Sequence, residues 1–189
     1  PMSIVIAVTK GGRTVMAADS LNVFGQERIS TDNSKAVKIR RIGPVLFAFT
    51  GWSLYDNIVE NLLQEHAEPP LNTSNEIFTF FLDLWRHLHD RYQFINDQCH
   101  DKDSPFGDLD ASFLIANSAG IFKVSQDSSV CRFQKYYAIG SGAYYALGAI
   151  HQIYDQDQTA DDIARRSVET AIEFDIYCGG EIDMFDVQR

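Results

Sequence analysis

Few residues in this 189-residue chain carry types and spacings that could do chemistry. Cys99, His100 and Asp101 stand side by side and offer a thiol, an imidazole and a carboxylate, donors that can hold a metal ion. A plain loop after a helix is the reading adopted for them. The other two cysteines, Cys131 and Cys178, lie far off, and no CxxC occurs. A disulfide framework or zinc ribbon is therefore not expected, and a reduced, cytoplasmic setting is. His87 and His89 are two apart, so on a helix they diverge. No metal and no cofactor are expected. The remaining candidate is a hydroxyl. Ser3 opens the run PMSIVIAV, which reads as a strand starting almost at the terminus, and sixteen residues later the stretch MAADS brings Asp19 and Ser20. Ser3 is either the strand's first polar residue or a group with a chemical role.

The elements that must position these residues read as follows. Ser3 to Val8 is apolar and β-branched, Lys10-Gly11-Gly12-Arg13 signals a turn, and Thr14 to Ala18 is a second apolar run. Residues 20 to 34 form a loop with short strand pieces. A second strand pair covers Ala36 to Ile42 and Val45 to Thr50 around Gly43-Pro44. A first helix starts after Ser53, with Leu54, Ile58, Leu62 and Leu63 as its apolar stripe. Thr73-Ser74-Asn75-Glu76 is a capping box for a second helix running to about Asn96, with Phe78, Phe81, Leu82, Trp85 and Leu88 as its core face. An acidic loop spans residues 99 to 110. Strands follow over Ala111 to Asn117, Ile121 to Ser125 and Val130 to Ile139. Gly140-Ser141-Gly142 opens a third helix, and Thr159 caps a fourth that ends near Phe174. A short strand from Ile176 and another over Ile182 to Val187 complete the pattern. Hairpins segregated from helix pairs give an α+β fold with antiparallel sheets.

Composition narrows the function classes. A length of 189 residues suits one domain, residues 1–189, with one sizeable core. The formal charge of -10 lowers the case for nucleic-acid binding. No apolar run reaches the length of a membrane span, and the Ile4 to Val8 run lacks the basic leader of a signal peptide. No nucleic-acid partner and no membrane association are expected.

Four local motifs, in order, resemble the proteasome family: proteasome β subunits and HslV-like peptidases within the N-terminal-nucleophile hydrolases. The first is the opening hairpin ending in Ala17-Ala18-Asp19-Ser20. The family carries a nucleophilic Thr, rarely Ser, at its mature terminus and an Asp sixteen positions on, and counting back from Asp19 lands on Ser3. The second is Lys38-Ile39-Arg40-Arg41-Ile42 followed by an apolar strand and Gly51. It is similar to the family's lysine strand and its oxyanion glycine. Spacing from Asp19 favours Lys35 as that lysine, and the local pattern favours Lys38. The third is Ala138-Ile139-Gly140-Ser141-Gly142. The fourth is Asp175-Ile176-Tyr177-Cys178-Gly179-Gly180, in which Cys178 stands where the family has serine, so a weak thiol donor replaces a hydroxyl.

The resemblance implies a four-layer α-β-β-α sandwich, two antiparallel sheets flanked by helix pairs. It also implies catalytic roles for Ser3, Asp19, Lys38 or Lys35, Gly51, Ser141 and Asp175. A neutral hydroxyl needs a base. The residue's own free α-amine, whose ordinary pKa is about 8, suits that task. A nearby lysine would hold the amine's pKa down, and Asp19 would fix the lysine. The amide of Gly51 would face the oxyanion, and Ser141 and Asp175 would orient the terminus. Val45 to Phe49, with Leu46 and Phe47, would line a hydrophobic specificity pocket on one side of the strand. The mechanism requires a free amine on Ser3, yet Pro1 and Met2 precede it. Pro1 reads as a remnant of tag cleavage and Met2 as an initiator whose excision exposes Ser3. The rival reading is a precursor or a non-catalytic subunit. The expected partners are polypeptide substrates, further copies of the chain in a homo-oligomeric ring, and a ring ATPase unfoldase. A non-proteolytic amidase or acylase and a silent ring scaffold are the alternatives.

Overall fold

Alternation along the first strand sets the architecture. In the computed structural model, which describes residues 3–65, 68–92 and 108–188, strand β1 (Val5–Lys10) pairs with β2 (Arg13–Asp19) and with β10 (Tyr136–Ile139), both antiparallel. Strand β11 (Ile182–Asp186) joins the far side of β2, giving the order β10-β1-β2-β11. A second sheet runs β5 (Ile39–Ile42), β6 (Val45–Gly51), β7 (Ala111–Asn117), β8 (Gly120–Val124) and β9 (Val130–Phe133), also antiparallel throughout. Between β2 and β5 the chain makes a two-stranded hairpin, β3 (Val23–Phe24) and β4 (Glu27–Arg28).

Because successive side chains point to opposite faces of a strand, β1 contributes to two cores at once. Ile4, Ile6 and Val8 pack with Ala146, Ile150, Ile163 and Val168 of helices α3 (Ala143–Ile153) and α4 (Ala160–Phe174). Val5 and Ala7 turn the other way and meet Leu46, Ala48, Leu114 and Ala116 of the facing sheet. The outer face of that sheet carries Phe47, Phe113 and Ile115 against α1 (Leu54–Glu65) and α2 (Ser74–Arg91). Three buried layers of side chains thus separate four layers of backbone, α-β-β-α, as the family resemblance implied. Burial of a large apolar side chain in such a layer is worth about 1.5–3 kcal/mol. The capping box predicted at Thr73 forms with Glu76, and Thr159, expected as a cap, forms a capping box with Asp162.

Several expectations need correction. The run from Val130 to Ile139 is two strands, β9 and β10, which leave one sheet for the other. No strand begins at Ile176. There the chain turns, with the amide of Tyr177 bonded to Asp175 Oδ1 and the amide of Cys178 to the Asp175 carbonyl. Strand β5 starts at Ile39 rather than Ala36, so both candidate lysines precede it. The helix faces are corrected in part: Ile58 and Leu62 of α1 and Phe81 and Leu88 of α2 are buried as predicted, and other positions are not. In α1, Tyr55, Ile58, Val59 and Leu62 are buried and Leu54 is exposed. In α2, Ile77, Phe80, Phe81, Leu84 and Leu88 are buried, whereas Phe78 and Leu82 face outward. Helix α2 ends at Arg91 with Tyr92 as its cap, and the expected end near Asn96 lies outside the described residues. Cys99, His100 and Asp101, with most of the acidic loop, lie outside the described residues.

Candidate active site

Asp19 is the last residue of β2 and is fully buried. A carboxylate there is tolerable only if donors surround it. Four do. Oδ1 accepts from Lys38 Nζ at 2.6 Å and from the Ile4 amide at 3.0 Å. Oδ2 accepts from the Gly179 amide at 3.0 Å and the Leu21 amide at 3.4 Å. One side chain therefore ties the start of β1 to the segment after β2 and to the turn after α4. Lys38, with its side chain 10% exposed, reaches the pair from the segment leading into β5. The ammonium and the carboxylate satisfy each other, and the amides complete the carboxylate's shell.

Ser3 lies two residues before the start of β1 and is 6% exposed. Its backbone is held by the loop after β10. The Ser3 nitrogen donates to Ser141 Oγ at 3.2 Å, the Ser141 hydroxyl donates to the Ser3 carbonyl at 3.4 Å, and the Gly142 amide donates to the same carbonyl at 3.2 Å. The loop approaches so closely that Gly140, with φ of +103°, has no room for a Cβ, which would strike the Ser3 carbonyl. Ser141 is consequently not the cap of α3. The N-cap is Gly142, which makes no side-chain cap, and the Ser141 hydroxyl is turned to Ser3 instead.

A cleft of about 650 Å³ is lined by Ser3 together with Lys38, Thr50 and Gly51, and Phe24, Phe49, Trp52 and Asp110 also line it. Gly51 ends β6 with φ of +147°, and a Cβ there would lie 2.7 Å from the Asp110 carbonyl oxygen. Of the apolar segment Val45 to Phe49, only Phe49 reaches the cleft. Phe47 is fully buried among Phe80, Phe81 and Phe113, and Leu46 and Ala48 lie between the sheets.

The remaining candidates divide. Lys35 also lines the cleft, but its ammonium is paired with Glu181 at 2.9 Å and Asp183 at 3.0 Å, away from Asp19. Hydrogen bonds from Lys35 to those two carboxylates raise its pKa. Asp175 caps the end of α4, and its carboxylate accepts from Tyr177 N and from Cys178 Sγ, the latter at 3.4 Å. It braces the turn whose Gly179 amide meets Asp19. Burial, reinforced by the charges of Asp19 and Asp175, pushes the Cys178 thiol well above the usual range. The thiol is thus a neutral packing group, wedged against Gly142. Trp52 and Asp110, adjacent to Gly51, are functional candidates that sequence reasoning missed. Only their pairing across the cleft wall reveals them, and 58 residues separate them in the chain. Among the described residues, no group of three acidic, histidine or cysteine side chains is placed to hold a metal ion, and no helix is long and apolar enough to cross a membrane.

No family model matches the chain. Individual relatives do. The HslV subunit of an ATP-dependent protease from Caulobacter sp. (strain K31) is 29% identical over 187 residues, covering 94% of this chain and 90% of that protein. The structure of Thiobacillus denitrificans BPH in complex with epoxomicin superposes with a TM-score of 0.87 at 32% identity, with 97% of each chain covered. The eukaryotic HslV of Trypanosoma brucei gives a TM-score of 0.66 at 21% identity over 97% of this chain and 98% of that one, a likeness of fold.

Proposed function

Since the chain belongs to the HslV-like, proteasome-type family of N-terminal-nucleophile hydrolases, we propose that it is a peptidase whose nucleophile is the Ser3 hydroxyl. The observation that carries this reading is the buried Lys38–Asp19 pair at 2.6 Å, which lies against the start of β1 and whose lysine lines one cleft with Ser3. Once the amine of Ser3 is free, it takes the hydroxyl proton. The Lys38 ammonium in the same cleft disfavours a second positive charge and so favours the neutral, proton-accepting form of the amine. The hydroxyl oxygen then attacks the substrate carbonyl, and the Gly51 amide receives the developing oxyanion. Loss of one such donor typically costs about 3 kcal/mol of transition-state stabilisation. The amine returns its proton to the leaving nitrogen, and water hydrolyses the resulting ester on Ser3.

Ser141 positions the nucleophile by holding the Ser3 nitrogen and carbonyl. Asp175 acts at one remove, through the turn that carries Gly179. Lys35 has no catalytic part in this scheme. Pro1 and Met2 must be removed before the amine exists. The substrates are unfolded polypeptides. The chain assembles into a homo-oligomeric ring that a ring ATPase feeds. The name of the Caulobacter relative supports the ATPase, and the exposed aromatic surface of Tyr144, Tyr145, Phe174 and Tyr177 supports self-association.

Epoxomicin, the compound held by the Thiobacillus relative, is the probe. Protein beginning at Ser3 should gain one inhibitor mass per chain and cleave fluorogenic peptides, and Ser3→Ala should do neither while assembling normally. Equal turnover by Ser3→Ala would end the proposal.

A further inference from the structure

One charged group of the cleft is neither used by the proposed chemistry nor ion-paired among the described residues. Four charged residues line the cleft. Lys38 is turned to Asp19, Lys35 to Glu181 and Asp183, and Asp56 is ion-paired with Arg40. Asp110 alone among them has no cationic partner among the described residues. Its Oδ2 accepts the indole N–H of Trp52 at 2.5 Å, and its amide donates to Tyr55 Oη at 3.2 Å. The Tyr55 ring packs in turn on Phe49 and Phe113. The wall is therefore held from behind by a buried aromatic cluster. Trp52, although 66% exposed, is pinned by its indole nitrogen.

The wall stands next to the reacting centre. Gly51 pairs with Ala111 across β6 and β7, and the Asp110 carbonyl crowds the Gly51 Cα. The space between Phe49, Trp52 and Asp110 adjoins Gly51, so a substrate residue whose carbonyl lay on the Gly51 amide would have this space within reach of its side chain. An acidic side chain there meets like charge. An apolar one covers part of a carboxylate without replacing its water, which is unfavourable. A lysine or arginine lays its alkyl stem on the aromatic wall, its charge on the indole face and its head group on Asp110.

We infer that this cleft selects a basic side chain, lysine or arginine, at the substrate residue whose carbonyl is attacked, with Asp110 and Trp52 as the determinants. The inference rests on the peptidase reading. An exposed ion pair and an exposed cation–π contact are each worth a few-fold, so together they give a preference of about tenfold.

The test uses protein beginning at Ser3 and fluorogenic peptides identical except at that residue: lysine, arginine, norleucine, leucine or aspartate. Lysine and arginine should exceed norleucine and leucine in kcat/KM by about tenfold, and the ratio should shrink as salt is raised. Norleucine matches the length of lysine without its charge. Asp110→Asn keeps an acceptor for the Trp52 indole and removes only the charge, and it should bring the lysine-to-norleucine ratio close to one. A wild-type ratio at or below one, or a ratio that Asp110→Asn leaves unchanged, overturns the inference while cleavage itself upholds the peptidase reading. Cleavage of none of the peptides overturns both.

Discussion

Asp19→Asn and Lys38→Met remove the two halves of one buried pair, and the structure predicts unequal losses. The Asp19 carboxylate receives four donors, two on each oxygen. An asparagine offers one oxygen, so its amide nitrogen must face two of those donors and leave them unsatisfied in a site with no solvent exposure. The Lys38 ammonium also loses its counter-charge. Breaking a buried pair in this way costs about 3–5 kcal/mol. In Lys38→Met the aliphatic stem still fills its place, and the carboxylate keeps three backbone amides. The loss there is one charge-assisted hydrogen bond, about 1.5–3 kcal/mol. Urea unfolding, followed by fluorescence of Trp52 and Trp85 at one fixed protein concentration, measures both. Peptide turnover should vanish in both variants. If Lys38→Met destabilises as much as Asp19→Asn, or Asp19→Asn lies within about 1 kcal/mol of wild type, the amide shell is not what makes this carboxylate tolerable.

Three further outcomes follow from other layers of the molecule. Phe47→Ala removes a fully buried ring that touches Phe80, Phe81 and Phe113, and should cost about 3–5 kcal/mol in the same unfolding assay. The exposed Cys131 should take a maleimide in the native protein and the buried, neutral Cys178 should not; intact mass should show one label fewer in Cys131→Ser and no change in Cys178→Ser. Hydrogen bonds from the Thr159 hydroxyl and amide hold the Asp162 carboxyl below its usual range. That capping contribution is full above about pH 4, the ordinary carboxylate value, and is lost as pH falls through the lower folded value. Asp162→Asn should therefore flatten this acid limb in a series of melting curves, and an unchanged limb would remove Asp162 from it.

Local signals were read from the chain with little error because local chemistry decides them. The capping boxes at Thr73 and Thr159 and the turn at Gly11-Gly12 are determined within a few residues. What failed was decided at a distance. Both faces of α1 carry apolar residues, so Leu54 and Tyr55 compete for the core, and only the shape of the outer sheet face selects Tyr55. In the same way Phe80 and Leu84 displace Phe78 and Leu82. The break between β9 and β10 has no strong turn signal; it exists because Tyr136 to Ile139 pair with β1 in the other sheet. At the site, spacing left Lys35 and Lys38 open. The structure separates them by their partners, since Glu181 and Asp183 draw Lys35 outward. Trp52 and Asp110 left no trace in the order of residues, because neither belongs to a local motif.

The placement of β1 joins the site to the stability of the whole fold. That strand is paired on both edges and buried on both faces, so its amide protons can exchange with solvent only through openings as large as global unfolding. Ser3 sits at its end. The proposed nucleophile is thus anchored to a strand expected to exchange slowly, and its geometry should persist until the fold is lost cooperatively. The opposite wall is made differently. The β3–β4 hairpin has two residues in each strand, and its Phe24 is largely exposed. Two residues per strand give this hairpin little to hold it closed, so this wall is expected to yield to side chains of different size while β1 stays paired.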